Sequence, residues 1–218
     1  NYSLDANTSG DKNTAVGYNS LTANTTGISN TAVGYESLIA NTTGEYNNAF
    51  GLATLNSNTT GGSNIAIGNG ALLNNTTASY NTAVGFQSLR DANRTADANA
   101  YNTAIGYKAG YTGTNDITTG NKNVLVGAST AASAATASNQ IVIGYGASGL
   151  GDNYAVIGNS DISRVYAASD GAGVLYANGT IQSSDRRIKR NIENVSFGLN
   201  YIMSLRPVTY YKKHPRDY

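Results

Sequence analysis

Ten carboxylates lie between residues 1 and 182, scattered singly; Asp91 and Asp97 fall near each other, in a stretch that reads as a loop. Hydrolysis of a glycosidic bond requires two carboxyl groups facing each other across a bound sugar. One loop-borne pair is poor support for that chemistry, and an enzyme that turns over is not expected. His214 is the single histidine and reads as a solvated residue. With no cysteine there is neither a disulfide framework nor a thiolate metal site. The Gly-Gly-x-Gly-x-Asp calcium repeat is also missing, so no metal and no cofactor is expected. Thr25-Thr26 and its copies follow Asn24, Asn41, Asn58 and Asn75 beside turn glycines, where Asn and Thr serve local hydrogen bonding. A regular Thr array could instead bind ice or glycan. The same Asn-x-Thr triplets would accept N-glycans in a eukaryotic secretory setting alone.

These residues belong to a repeat. Asn13-Thr14-Ala15-Val16-Gly17 returns so that the closing glycine falls at 17, 34, 51, 68, 85, 106, 127, 144 and 158, in steps of 17, 17, 17, 17, 21, 21, 17 and 14. A fixed period of this length means stacked supersecondary units, each burying its apolar face on the next. Within one unit Val16 and Tyr18 share one face of a strand while Ala15 and Gly17 share the other. Leucine follows at 21, 38, 55, 72 and 89, and an aromatic at 18, 35, 86, 107 and 145. Two glycines per unit argue against a long helix. Stacked rungs set like on like, which predicts an apolar column, an Asn24–Asn41–Asn58–Asn75 ladder and a stalk of ~40 Å at ~4.8 Å per rung.

The expected fold is all-β: a two-sided β-roll or solenoid over residues 1–158, with rungs of about 17 residues. Its core would be thin, and thin single-chain cores are marginal, while open sheet edges invite pairing. Three chains packed about an axis would answer both, so a homotrimer is expected. The chain opens inside a repeat, as expected of a segment of something longer. No apolar run reaches 18 residues, so no membrane insertion is expected. Low hydrophobicity here does not read as disorder, because net charge is only +1 and there are 16 tyrosines.

Charge divides the chain near Ser183. Residues 1–182 hold 6 Lys/Arg against 10 Asp/Glu, a net of −4; residues 183–218 hold 8 against 3, a net of +5. The Arg186-Arg187-Ile188-Lys189-Arg190 cluster is too short to argue for nucleic acid, and none is expected as a partner. Between the repeats and this basic segment, residues 159–183 read as a β-hairpin neck, with strands over 161–168, 174–177 and 180–183 and an Asn178-Gly179 turn. Leu199, Ile202, Met203 and Leu205 suit a short amphipathic helix ended by Pro207.

Two resemblances follow. Asn139-Gln140-Ile141-Val142-Ile143-Gly144 and Asn153-Tyr154-Ala155-Val156-Ile157-Gly158 resemble the rungs of trimeric autotransporter adhesin heads, which are β-rolls. Ser184-Asp185-Arg186-Arg187-Ile188-Lys189-Arg190-Asn191-Ile192, with Leu205-Arg206-Pro207-Val208-Thr209-Tyr210, resembles the opening of the chaperone of endosialidase family, found at the C-termini of phage tail fibres and tailspikes. That resemblance implies a domain over 184–218 that directs trimerisation and folding of the upstream fibre. It further implies self-cleavage between Ser183 and Ser184, with Ser184 as nucleophile and Lys189 as its base; a desolvated lysine can be neutral near pH 7 and accept the hydroxyl proton. The family's domain runs on beyond this length, so residues 184–218 are expected to be its N-terminal part.

The expected function is thus a structural trimeric fibre segment, of a virion or an extracellular surface, that presents or forms a host-attachment element and carries an intramolecular chaperone. The alternative is a bacterial surface adhesin whose roll binds glycan or another host receptor through exposed Tyr and Asn.

Overall fold

The computed structural model describes residues 2–95 and 99–165. They form a parallel β-solenoid of nine three-residue strands: β1 Thr14–Val16, β2 Thr31–Val33, β3 Asn48–Phe50, β4 Ile65–Ile67, β5 Thr82–Val84, β6 Thr103–Ile105, β7 Val124–Val126, β8 Ile141–Ile143 and β9 Ala155–Ile157. The strands pair in sequence order, and the register sets Thr14 on Thr31, Ala15 on Ala32 and Val16 on Val33, then continues rung by rung. Among the described residues there is no helix. The expected ~17-residue all-β solenoid is what the chain builds.

Each rung is bent by residues in the left-handed region. Leu21, Leu38, Leu55, Leu72 and Leu89 all have φ between 47° and 54°, and so do Glu36 and Ala53 at neighbouring corners. A bulky side chain there is strained by roughly 1–3 kcal/mol. Full burial offsets it, because every one of these leucines is inaccessible to solvent and a buried leucine contributes about 1.5–3 kcal/mol. The marker glycines stack backbone on backbone: a Cβ on Gly34 (φ 139°) would strike the Gly51 carbonyl oxygen. The return side of the rung has no sheet, yet adjacent rungs still join there through Leu21 N–H to Ser37 O (2.9 Å) and Thr25 N–H to Thr42 O (2.9 Å).

The expected apolar column lies on the outside. The side chains that fill the roll from the strand side are the alanines at 32, 49, 66, 83 and 104, all fully buried. The residues before the marker glycines face outward, and Val16, Phe50, Ile67 and Ile105 are 57, 41, 42 and 43% exposed. A leucine from the opposite wall fills most of each rung's interior, and Ala completes it at the close-packed density interiors demand. Where the leucine column stops, the sizes swap. Gly110 takes the leucine position, and Leu125 replaces Ala at the strand centre; a Cβ on Gly110 would lie 3.2 Å from the Leu125 Cδ1.

Beyond β9 the expected strand at 161–168 does not form over its described part, 161–165. Asn159 starts a turn instead: Asp161 N–H donates to its Oδ1 (3.0 Å) and Ile162 N–H to its carbonyl (3.2 Å), the local bonding Asn offers in competition with a ladder. The rest of the expected neck, and the helix over 199–205, lie outside the described residues.

Candidate functional site

Two buried asparagine ladders hold the rungs in register. In the expected one, Asn41 Nδ2 donates to Asn24 Oδ1 (2.9 Å), Asn58 to Asn41 (2.8 Å) and Asn75 to Asn58 (2.8 Å), while each also ties its own turn, as Asn58 does to Gly61 O (2.9 Å). It ends where Ala92 takes the next place, leaving Asn75 Oδ1 buried without a hydrogen-bond partner. The second ladder runs through Asn13, Asn30, Asn47, Asn64, Asn81, Asn102 and Asn123, the asparagine that opens each repeat, and sequence reasoning missed it. Each Oδ1 accepts the next rung's backbone N–H, as Asn30 does from Asn47 (3.0 Å), and Gln140 N–H bonds to Asn123 Oδ1 (3.0 Å). Its constancy at a position beside the strand was the available signal. The threonine column is structural too: Thr25, Thr42 and Thr59 each donate a hydroxyl to the next rung's threonine carbonyl at 3.1 Å.

Among the described residues, the side chains not engaged in holding the rungs lie on the outer surface. Each strand turns its first and third side chains outward, and in register these make two columns. One runs Val16, Val33, Phe50, Ile67, Val84, Ile105, Val126, Ile143, Ile157; the other runs Thr14, Thr31, Asn48, Ile65, Thr82, Thr103, Val124, Ile141, Ala155. Parallel sheets normally have both faces covered, and here the outer face is bare in the single chain. Beside it stand aromatic stacks, Tyr18 on Tyr35 (5.4 Å between centroids) and Phe86 on Tyr107 (5.4 Å). The Tyr35 hydroxyl bonds to the Glu36 carboxylate, and that bond and the carboxylate's charge raise its pKa above the ordinary tyrosine value.

The remaining chemistry is sparse. Asp91 accepts from Asn74 Nδ2 (2.6 Å) and lies 4.0 Å from Arg90 Nε, a carboxylate occupied with its neighbours. Asp97, its expected companion, lies outside the described residues. Among the described residues no three His, Asp or Glu side chains gather as a metal site would require, and no helix is long and apolar enough to cross a membrane. Ser184, Lys189 and His214 lie outside the described residues, so the geometry of the Ser-Lys pair is not part of this site.

Comparison of the chain with curated proteins and with solved structures finds no significant match. Residues 184–217, by contrast, match the family model of the chaperone of endosialidase, a family that implies trimeric assembly and, beside a β-solenoid, fits a tail-fibre-like structural protein.

Proposed function

We propose that this chain is a segment of a homotrimeric fibre, of the kind that carries a host-attachment element on a virion, and that its C-terminal segment is the start of the chaperone that assembles it. The observation that carries the reading is the bare outer face of the sheet. Val, Ile or Phe side chains recur once per rung over nine strands, exposed at 16, 50, 67, 105, 143 and 157 and partly covered at 33, 84 and 126. Covering each exposed one is worth about 1 kcal/mol, so the column contributes about 6 kcal/mol per chain, against an association cost of about 4–15 kcal/mol. That is enough for assembly in company with the flanking aromatics, and enough to explain why a folding chaperone accompanies the roll. Contiguous exposed apolar strips of this kind mark interaction surfaces, and a surface repeated identically on every copy is suited to closed symmetry.

The chaperone segment would release itself by a single turnover. Ser184 Oγ attacks the Ser183 carbonyl carbon as Lys189 Nζ takes the hydroxyl proton. The Ser184 nitrogen leaves as an amine, and water then hydrolyses the ester to free Ser183 as a carboxylate. The alternative, a bacterial surface adhesin, shares the roll and is favoured by the Asn153–Gly158 rung type.

The test is solution mass by light scattering together with intact mass of the subunit. Three chains per particle supports the fibre. A stable monomer removes it, and leaves a single-chain solenoid that binds through its faces.

A further inference from the structure

The position just before each ladder asparagine forms a column along one corner of the roll, from Lys12 and Ser29 through Tyr46, Ser63, Tyr80 and Tyr101 to Lys122. All seven are left-handed, with φ between 52° and 64°, so their side chains leave the corner alike. Tyr80 and Tyr101 stack at 5.0 Å and 8°. One rung earlier the stack is interrupted. There the chain reads Gly61-Gly62-Ser63, where neighbouring rungs read Gly44-Glu45-Tyr46 and Ala78-Ser79-Tyr80. Two adjacent side chains shrink in one rung, and the result is a notch of about 340 Å³. Glu45 and Tyr46 line it from one neighbouring rung and Ser79 and Tyr80 from the other, with Gly62 and Ser63 on the rung between, and the hydroxyl-bearing Thr43 and Thr60 complete the lining.

We propose that this notch binds a neutral hexopyranose unit. Two rungs separate Tyr46 from Tyr80, about 9.5 Å at the ordinary strand spacing. A ring held between two tyrosines at about 4.0–4.5 Å from each face requires about 8–9 Å, so the gap admits one flat ring. A pyranose has apolar C–H faces for the tyrosines and hydroxyls around its edge for Thr43, Thr60, Ser63 and the Glu45 carboxylate. The Glu45 charge disfavours an anionic sugar. Tyr46 and Tyr80 are about half exposed, 53 and 48%, and the stack with Tyr101 holds Tyr80 in place. The inference deepens the attachment role proposed above and rests on it for the biological setting. A single notch with millimolar affinity becomes useful when three copies on one fibre engage a polymer together.

The experiment is saturation-transfer NMR on the whole chain with the methyl glycosides of glucose, galactose and N-acetylglucosamine, and with a sialoside as the anionic probe. At least one neutral glycoside is expected to bind in the millimolar range, and the sialoside is not. Ser63→Tyr should fill the notch and abolish binding while circular dichroism stays unchanged, because Tyr46 and Tyr80 show that this corner accepts tyrosine at the same φ. Tyr46→Ser, which puts at this corner what Ser29 and Ser63 already place there, removes one wall and should weaken binding at least tenfold. No neutral glycoside binding, binding of the sialoside alone, or binding that survives both substitutions overturns the assignment. Light scattering on the same samples separates the two proposals: a sugar-binding monomer sinks the fibre and keeps the notch, and a trimer that ignores every glycoside does the opposite.

Discussion

Asn47 Oδ1 accepts both the backbone N–H (3.1 Å) and the side-chain Nδ2 (3.0 Å) of Asn64, one rung further on. Asn47 Nδ2 in turn reaches Gly61 O (2.8 Å) in the same neighbouring turn and Asn30 Oδ1 (3.2 Å) one rung back, so one buried amide joins three successive rungs. Replacing it with alanine strands the Asn64 N–H in a site closed to water, while the Gly61 carbonyl keeps its bond from Asn58 Nδ2. A buried orphan costs about 1–3 kcal/mol, so Asn47→Ala should destabilise by about 2 kcal/mol, read as a lower urea midpoint. Asn47→Asp keeps the acceptor but loses the donor and buries a charge, and should be no better. A midpoint unchanged in both variants would show that the ladder is dispensable.

The outward columns lead to a different expectation. Ile105 sits between Val84 and Val126 in the apolar strip, 43% exposed, and its side chain contributes nothing to the interior of its own roll. Ile105→Glu should leave the β-sheet circular dichroism intact and lower the particle mass from three chains to one, because three unpaired charges meet where apolar groups should be covered, each at a cost of several kcal/mol. A variant that stays trimeric would place the interface elsewhere on the roll.

Much of this architecture is legible in the amino-acid order. The 17-residue period marks the rungs, the glycines at 17, 34 and 51 mark the stacking points, and Asn24, Asn41 and Asn58 announce their ladder by sitting beside turn residues. What period-2 alternation does not reveal is which face of a three-residue strand looks inward. Hydrophobicity alone favours Val16 over Ala15, and the roll does the reverse. A subtler cue was present. The alanine column holds one size from Ala15 through Ala104, while the next column varies among Val, Phe and Ile; an interior too narrow for adjustment permits one volume, and a surface permits several. The change to Leu125 coincides with the loss of leucine at Gly110, so even the exception conserves volume. For the chaperone segment the order of residues carries the reading alone, through the motif that begins at Ser184.

Glu36 and Tyr35 supply a titration that reports on the outer aromatic column. Bonding to the Glu36 carboxylate, and its charge, raise the Tyr35 pKa, and the Tyr18 ring stacks beside it. The folded state thus holds this proton more firmly than the unfolded chain does. Its stabilising share is fully present below the ordinary tyrosine value and is lost as pH rises through the raised Tyr35 value. In Glu36→Gln the tyrosine should titrate lower, nearer its ordinary value, as followed by ring NMR shifts. A Tyr35 that titrates identically in both proteins would show that the carboxylate does not reach it.

The self-cleavage proposed for Ser184 and Lys189 separates chemistry from assembly, and two substitutions tell them apart. Ser184→Ala removes the proposed nucleophile, so intact mass should show the full 218 residues with no shorter product. Lys189→Arg keeps the positive charge, but a guanidinium does not give up its proton near neutral pH. It therefore cannot serve as the base, and cleavage should be lost there too. Both variants should still reach the trimeric mass, because the outer strip of the roll is unchanged. Cleavage that persists in Lys189→Arg would assign the base to another group, and persistence in Ser184→Ala would move the scissile bond. Loss of the trimer in either variant would mean that assembly and cleavage share these residues.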